Sequence, residues 1–147
     1  MRAVVTRVKS ASVTIAGEVA GSIGKGFLVL LGVNVNDAEA QADKAADKIC
    51  GLRVFEDDAG KMNVSPADAG AELLIVSQFT LYADVKSRRP GFTRAARPET
   101  AVPLYERVIA QCRERGFKVE TGEFGADMLV ESVNDGPVTI LIDTDEL

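Results

Sequence analysis

The sequence predicts an α/β fold of mixed β-sheets with barrel-like curvature and two helices, ordered as two strands, two βα units and three strands in three layers, α/β/β. Three observations carry this expectation. The run Phe27-Leu28-Val29-Leu30-Leu31-Gly32-Val33 is apolar without alternation, which fits a central strand covered on both faces. Two stretches place apolar residues at helical spacing, each after a strand. Further strand-like segments lie before the first of these units and after the second.

Taken in order, strands are expected at Ala3 to Val8 and Ser12 to Ile15. A turn at Ala16-Gly17 leads to a short return strand, Glu18-Val19-Ala20, and Gly21 to Gly26 reads as a bend. Beyond the apolar run, Asn36 with Glu39 makes a capping box, and Ala38, Ala42, Ala45, Ala46 and Ile49 recur at helical spacing up to Gly51. Arg53-Val54-Phe55 and the turn Asp57-Asp58-Ala59-Gly60 read as strand and hairpin, and Leu73 to Thr80 as a second strongly apolar strand. A polar loop runs to about Ala96. Pro98 and Pro103 both suit a helix start, with the helix beginning in earnest near Pro103. Its apolar face is Leu104, Tyr105, Val108, Ile109 and Cys112, and Gly116 closes it. Strands at Phe117 to Thr121, Met128 to Val133 and Val138 to Ile142 complete the pattern. No repeat or linker interrupts it, so one domain is expected over residues 1–147.

Composition narrows the chemistry. The chain has 147 residues and is 46% hydrophobic, enough for an ordinary core. No apolar run approaches the ~20 residues that span a bilayer. The N-terminus lacks the long apolar stretch of a signal peptide, so a cytoplasmic location is expected. Cys50 and Cys112 both fall in expected helices, without CxxC spacing, and read as reduced thiols packed in a core. The chain has no histidine. That excludes Ser-His-Asp and Cys-His machinery and argues against zinc, leaving hydroxyls, amides, backbone dipoles, carboxylates or the substrate itself; neither metal nor cofactor is expected. A net charge of −5 argues against a nonspecific nucleic-acid coat, yet KSRRPGFTRAAR concentrates Lys86, Arg88, Arg89, Arg94 and Arg97 without an acid.

Two segments are candidates for chemistry. Ser77-Gln78-Phe79-Thr80 ends an apolar strand, where hydroxyl and amide groups have no packing reason to cluster; ordinary cap and turn residues are the competing reading. Asn134-Asp135-Gly136-Pro137-Val138-Thr139 contains a Gly-Pro pair that would serve as a plain turn. It is also the linkage in which a cis peptide costs only about 0.5–1 kcal/mol, so that a locked bond could present rigid carbonyls to a ligand.

These elements together, SQFTL at Ser77 to Leu81, NDGPVT at Asn134 to Thr139, Arg7, and Gly24-Lys25-Gly26 before the apolar strand, resemble the D-aminoacyl-tRNA deacylase family along the whole chain. The resemblance implies a homodimeric ester hydrolase that frees D-amino acids, and glycine, from tRNA. It places Ser77, Gln78, Phe79 and Thr80 around the ester as the catalytic segment. It assigns Gly136 and Pro137, flanked by Val138 and Thr139 and held by Arg7, to chiral selection in the partner subunit's pocket. Lys86, Arg88, Arg89, Arg94 and Arg97 would meet tRNA phosphates. Ser87 stands where relatives often carry glycine, which bears on the loop's conformation and not on its charge. Two other readings stay open on the residues alone. One is a small-molecule esterase with Thr80 as nucleophile, which would leave the basic patch without a purpose. The other is a noncatalytic RNA-binding dimer, for which 5% aromatic content is poor.

Overall fold

The computed structural model describes residues 1–147. Its spine is β1 (Arg2–Ile15), which pairs on both edges. One edge meets β3 (Gly26–Gly32) along Arg2 to Val8 and β2 (Glu18–Ile23) along Ala11 to Ile15. The other meets β8 (Leu129–Asp143), and all three pairings are antiparallel. The two expected N-terminal segments are therefore one strand. The reason lies in its burial: Ala3 and Val5 belong to one core and Val8, Ala11 and Val13 to another, so the strand changes faces midway without ending. Residues Gly21 to Ile23, expected in a bend, extend the return strand.

Helix α1 (Glu39–Gly51) crosses from β3 towards β6 (Glu72–Ser77), which pairs parallel with β3; the small hairpin of β4 (Phe55–Glu56) and β5 (Met62–Val64) lies between. Helix α2 (Pro98–Glu114) then crosses from β6 to its parallel neighbour β7 (Val119–Thr121). Parallel neighbours require such crossovers, and antiparallel ones do not, so the sheet is mixed by construction. The α1 start differs from expectation. Asn36 does not cap it; Gln41 Oε1 accepts from Ala38 N–H at the helix entrance, while Asn34 Oδ1 takes the Asn36 N–H into a preceding turn. Likewise α2 begins at Pro98, whose fixed φ suits the first turn, and Pro103 is carried inside the helix.

The apolar run is covered on both sides, as its lack of alternation implied. Val29 and Leu31 of β3, with Leu73 and Ile75 of β6, face Ala42, Ala46 and Ile49 of α1 and Leu104, Val108 and Cys112 of α2. On the opposite face Leu28, Leu74 and Val76 pack against Val8, Ala11, Val13 and Ile23. This second core exists because the far half of β1 and β2 curl over the sheet. A Cβ on Gly21 would stand 2.9 Å from the Thr121 carbonyl oxygen and 3.3 Å from Glu120 Cβ, so glycine lets β2 reach β7 and nearly close a barrel.

Met1 is fully buried, and its amine donates to Asp37 Oδ1 and Thr144 Oγ1, both at 2.8 Å. No helix is long and apolar enough to cross a membrane.

Candidate functional site

Strand β6 ends at Ser77, short of the expected Thr80, because Gln78 breaks from extended geometry and Phe79–Tyr82 wind into a single 3-10 turn. The turn is held by two hydrogen bonds from outside it. Gln78 N–H donates to the Leu31 carbonyl at 2.8 Å, and Gly32 makes the approach possible, since a Cβ there would sit 2.9 Å from the Gln78 carbonyl oxygen. Arg2 Nη1 donates to the Leu81 carbonyl at 3.1 Å while its Nε donates to Asp143 Oδ2 at 2.9 Å. Burial alone would raise the Asp143 carboxyl. The hydrogen bond and charge of Arg2, with the Asp145 N–H, instead hold it below its ordinary value.

The turn places the four candidate residues together at the surface. The first hydrogen bond inside it runs from Leu81 N–H to the Gln78 carbonyl, so the N–H groups of Phe79 and Thr80 precede its ladder and have no acceptor within it. Gln78 Nε2 donates to Thr80 Oγ1 at 2.5 Å. Beside the turn is an apolar cavity of about 60 Å³ lined by Ser77, Gln78, Phe79, Ala101, Tyr105 and Phe124, among others. Tyr105 O–H donates to the Ile75 carbonyl at 2.8 Å, tying α2 to the strand that carries Ser77; burial pushes its hydroxyl up to about 12. Below the turn the Tyr82 hydroxyl is buried without a hydrogen-bond partner, and burial raises its pKa. Its ring lies 4.7 Å from the Arg2 guanidinium and 6.0 Å from that of Arg94.

Residues 83–97 fold back over this region. Asp84 and Gly91 bridge antiparallel, and Phe92 meets Phe79 edge-on at 5.0 Å between ring centres. Lys86, Arg88, Arg89, Arg94 and Arg97 are all exposed, and none makes an ion pair. Ser87 Oγ donates to the Arg89 carbonyl at 2.7 Å, a local bond that glycine could not make.

The Gly-Pro element lies elsewhere. On β8, Thr139 pairs with Thr6 and Asn134 with Val8, so Asp135 to Val138 leave the ladder opposite Arg7 alone. Arg7 is 6% exposed; its Nε donates to the Asp135 carbonyl at 3.0 Å and its Nη1 to the Val54 carbonyl at 2.6 Å. Val138 is buried, Gly136 and Pro137 are exposed, and the bond between them is cis. Thr6 and Thr139 hydroxyls meet at 3.5 Å. Within one chain the two candidate segments are not brought together. Arg2, which holds the turn, and Arg7, which holds the excursion, stand five residues apart on β1, roughly 16 Å at about 3.3 Å per residue.

Sequence reasoning missed Arg2, Phe124 and Gly125 at the site and read Tyr105 as core alone. A helix-face pattern cannot show that one member of the face also borders a cavity.

A family model described as D-Tyr-tRNA(Tyr) deacylase matches residues 4–143. A D-aminoacyl-tRNA deacylase of Symbiobacterium thermophilum is 60% identical, covering 99% of this chain and 97% of its own. That of Thermus aquaticus is 57% identical, with the same shares. Among solved structures, a c-Myc DNA unwinding element binding protein superposes with a TM-score of 0.91 at 42% identity, over 97% of this chain and 98% of the other. A probable eukaryotic D-amino acid tRNA deacylase superposes at 0.84 with 15% identity, over 96% and 97%, a likeness of fold. With a family model matching residues 4–143 and relatives 57–60% identical along nearly the whole chain, the chain belongs to the D-Tyr-tRNA(Tyr) deacylase family.

Proposed function

We propose that the chain hydrolyses the ester of D-aminoacyl-tRNA, and of glycyl-tRNA mischarged on tRNA(Ala), as a homodimer whose pockets each combine two subunits. The observation that carries the reading is the Phe79–Tyr82 turn. It offers two N–H groups without an internal acceptor, beside a small apolar cavity and next to a loop with five unpaired cations whose Phe92 packs on Phe79, in a chain without histidine. Those groups suit an oxyanion developing on the ester carbonyl. The cations suit the phosphates of a tRNA 3′ end.

No side chain beside Thr80 can activate it, because its hydroxyl accepts from the Gln78 amide and an amide is no base. Water therefore attacks the carbonyl with help from the neighbouring ribose hydroxyl, and the tRNA oxygen leaves. Chirality is read by shape. D and L substrates carry the same atoms, so discrimination requires a fixed obstacle where the L side chain would lie. Gly136 and Pro137, exposed on an excursion anchored by buried Arg7, supply it to the other subunit's pocket. Support for the second copy comes from β8, which carries that excursion and leaves Leu129, Val133 and Leu141 72%, 57% and 79% exposed.

Hydrolysis of D-, L- and glycyl-tRNA, with a 2′-deoxy terminal adenosine as a fourth substrate, tests this. Turnover of the D and glycyl esters alone is expected, with loss in the deoxy form. Thr80→Ala should retain activity within roughly tenfold, the worth of one hydrogen bond. Full activity on the deoxy substrate with an inactive Thr80→Ala would establish a covalent route instead.

A further inference from the structure

Helices α1 and α2 lie side by side, and their contact is polar along one margin. Arg107 donates from Nε to Asp43 Oδ1 at 2.7 Å and from Nη2 to Oδ2 at 3.2 Å, and Arg115 reaches Asp47 at 3.7 Å. Near the C-terminal ends of both helices two thiols meet. The sulfurs of Cys50 and Cys112 are 3.5 Å apart, Cys112 fully buried and Cys50 half-buried. Neither takes part in the deacylation proposed above. Packing alone would account for two buried thiols, but this pair is unequal in both access and charge.

We propose that Cys50 and Cys112 form a redox-active dithiol, in which Cys50 reacts with a peroxide and Cys112 resolves the product to an intramolecular disulfide that staples α1 to α2. The inequality sets the order of events. The Cys112 thiol can donate to a Cys50 thiolate, and Arg115 adds hydrogen bonding and positive charge, so Cys50 is held below the usual thiol range. Its contact with Cys50, then burial, push Cys112 the other way. The half-buried sulfur is thus the nucleophile and the enclosed one the reserve.

Each step balances. The Cys50 thiolate attacks one peroxide oxygen, the O–O bond breaks, and the departing hydroxide takes a proton to become water. Cys50 is then a sulfenic acid. Cys112 gives up its proton, its sulfur attacks the Cys50 sulfur, the S–O bond breaks, and a second water leaves. Two electrons have passed from the thiols to the peroxide, and an external dithiol returns them by exchange. Closing 3.5 Å to the ~2.05 Å of a disulfide asks for a small movement at two helix ends. The bond spans 62 positions of sequence, so the oxidised chain should resist unfolding more than the reduced one.

The test treats the folded protein with hydrogen peroxide, blocks remaining thiols, and maps the digest by mass without reduction. A single peptide pair joined through Cys50 and Cys112, two hydrogens lighter and separated by dithiothreitol, is expected. The urea midpoint should rise by about 1 M or more. In Cys112→Ser, Cys50 should stop as a sulfenic acid captured by dimedone; in Cys50→Ser, Cys112 should stay a free thiol. Retention of both thiols under excess peroxide, cross-links between chains only, or dimedone capture at Cys112 in Cys50→Ser would overturn the proposal. Should the serine variants fail to fold, as circular dichroism would reveal, the mass map of the unaltered protein decides alone. All these readouts are independent of deacylase activity.

Discussion

At the residue scale, Arg7 shows how a charged group earns a buried place. Its guanidinium is almost wholly enclosed, and it satisfies two carbonyls and lies 3.4 Å from Asp135 Oδ2. Arg7→Ala should leave the Asp135 and Val54 carbonyls short of a donor and cost about 2–3 kcal/mol in urea unfolding. It should also release the excursion, so that hydrolysis of L-aminoacyl-tRNA rises relative to D; unchanged discrimination would separate Arg7 from selectivity. Tyr105 gives a pH signature. Its hydroxyl is neutral in the fold up to about 12, against an ordinary 10, so its contribution to stability is whole below 10 and drains as pH climbs from 10 towards 12. Tyr105→Phe should lose about 1 kcal/mol at neutral pH and show a shallower alkaline decline than the parent. The SQFT residues stood out because hydroxyl and amide groups have no packing reason to gather at a strand end, whereas the Gly-Pro pair read equally as a plain turn and drew notice through its cheap cis bond and the family resemblance. Arg2 did not stand out, since its two partners, Leu81 and Asp143, come near it only through the fold.

At the element scale, the loop from Asp84 to Arg97 is the part of the candidate site whose charge was readable and whose path was not. Its five cations stand out in an acidic chain, yet nothing in their spacing foretold the Asp84–Gly91 bridge or the Phe79–Phe92 contact that holds the loop against the turn. If they meet phosphates, activity should fall steeply with salt, and Arg88→Gln with Arg89→Gln should flatten the slope of log kcat/KM against log salt by about 1 to 2. An identical slope in the double variant would return the loop to ordinary solvated surface. The helices followed from periodicity, but their starts did not. Gln41 supplies the acceptor that Glu39 was expected to supply, with Ala38 at the cap in place of Asn36, and Pro98 opens α2 although the apolar face gathers only after Pro103. Period fixes which face is buried, while ends depend on single hydrogen bonds.

At the scale of the whole molecule, the mixed sheet with two helices was legible from one unalternating strand and two βα units. Its near-closure was harder to derive, because it rests on β1 serving two cores and on Gly21 passing close to Thr121, both long-range facts. That same strand keeps the turn and the Gly-Pro excursion of one chain apart. Ala96→Phe should fill the cavity beside Ser77, and Gly136→Trp, whose Cβ finds nothing nearer than Val138 N at 3.5 Å, should lodge a ring in whatever pocket the excursion enters. Each purified variant should be inactive, and a wild-type dimer should have twice the chain mass by light scattering. Refolded together in equal amounts, they complement as two alleles do. Random pairing puts half the molecules in mixed dimers, each with one pocket free of both lesions, and activity should return to about a quarter of wild type. A mixture that stays silent would mean that each chain's excursion serves its own pocket, so recovery from two dead parents measures directly whether the enzyme is shared.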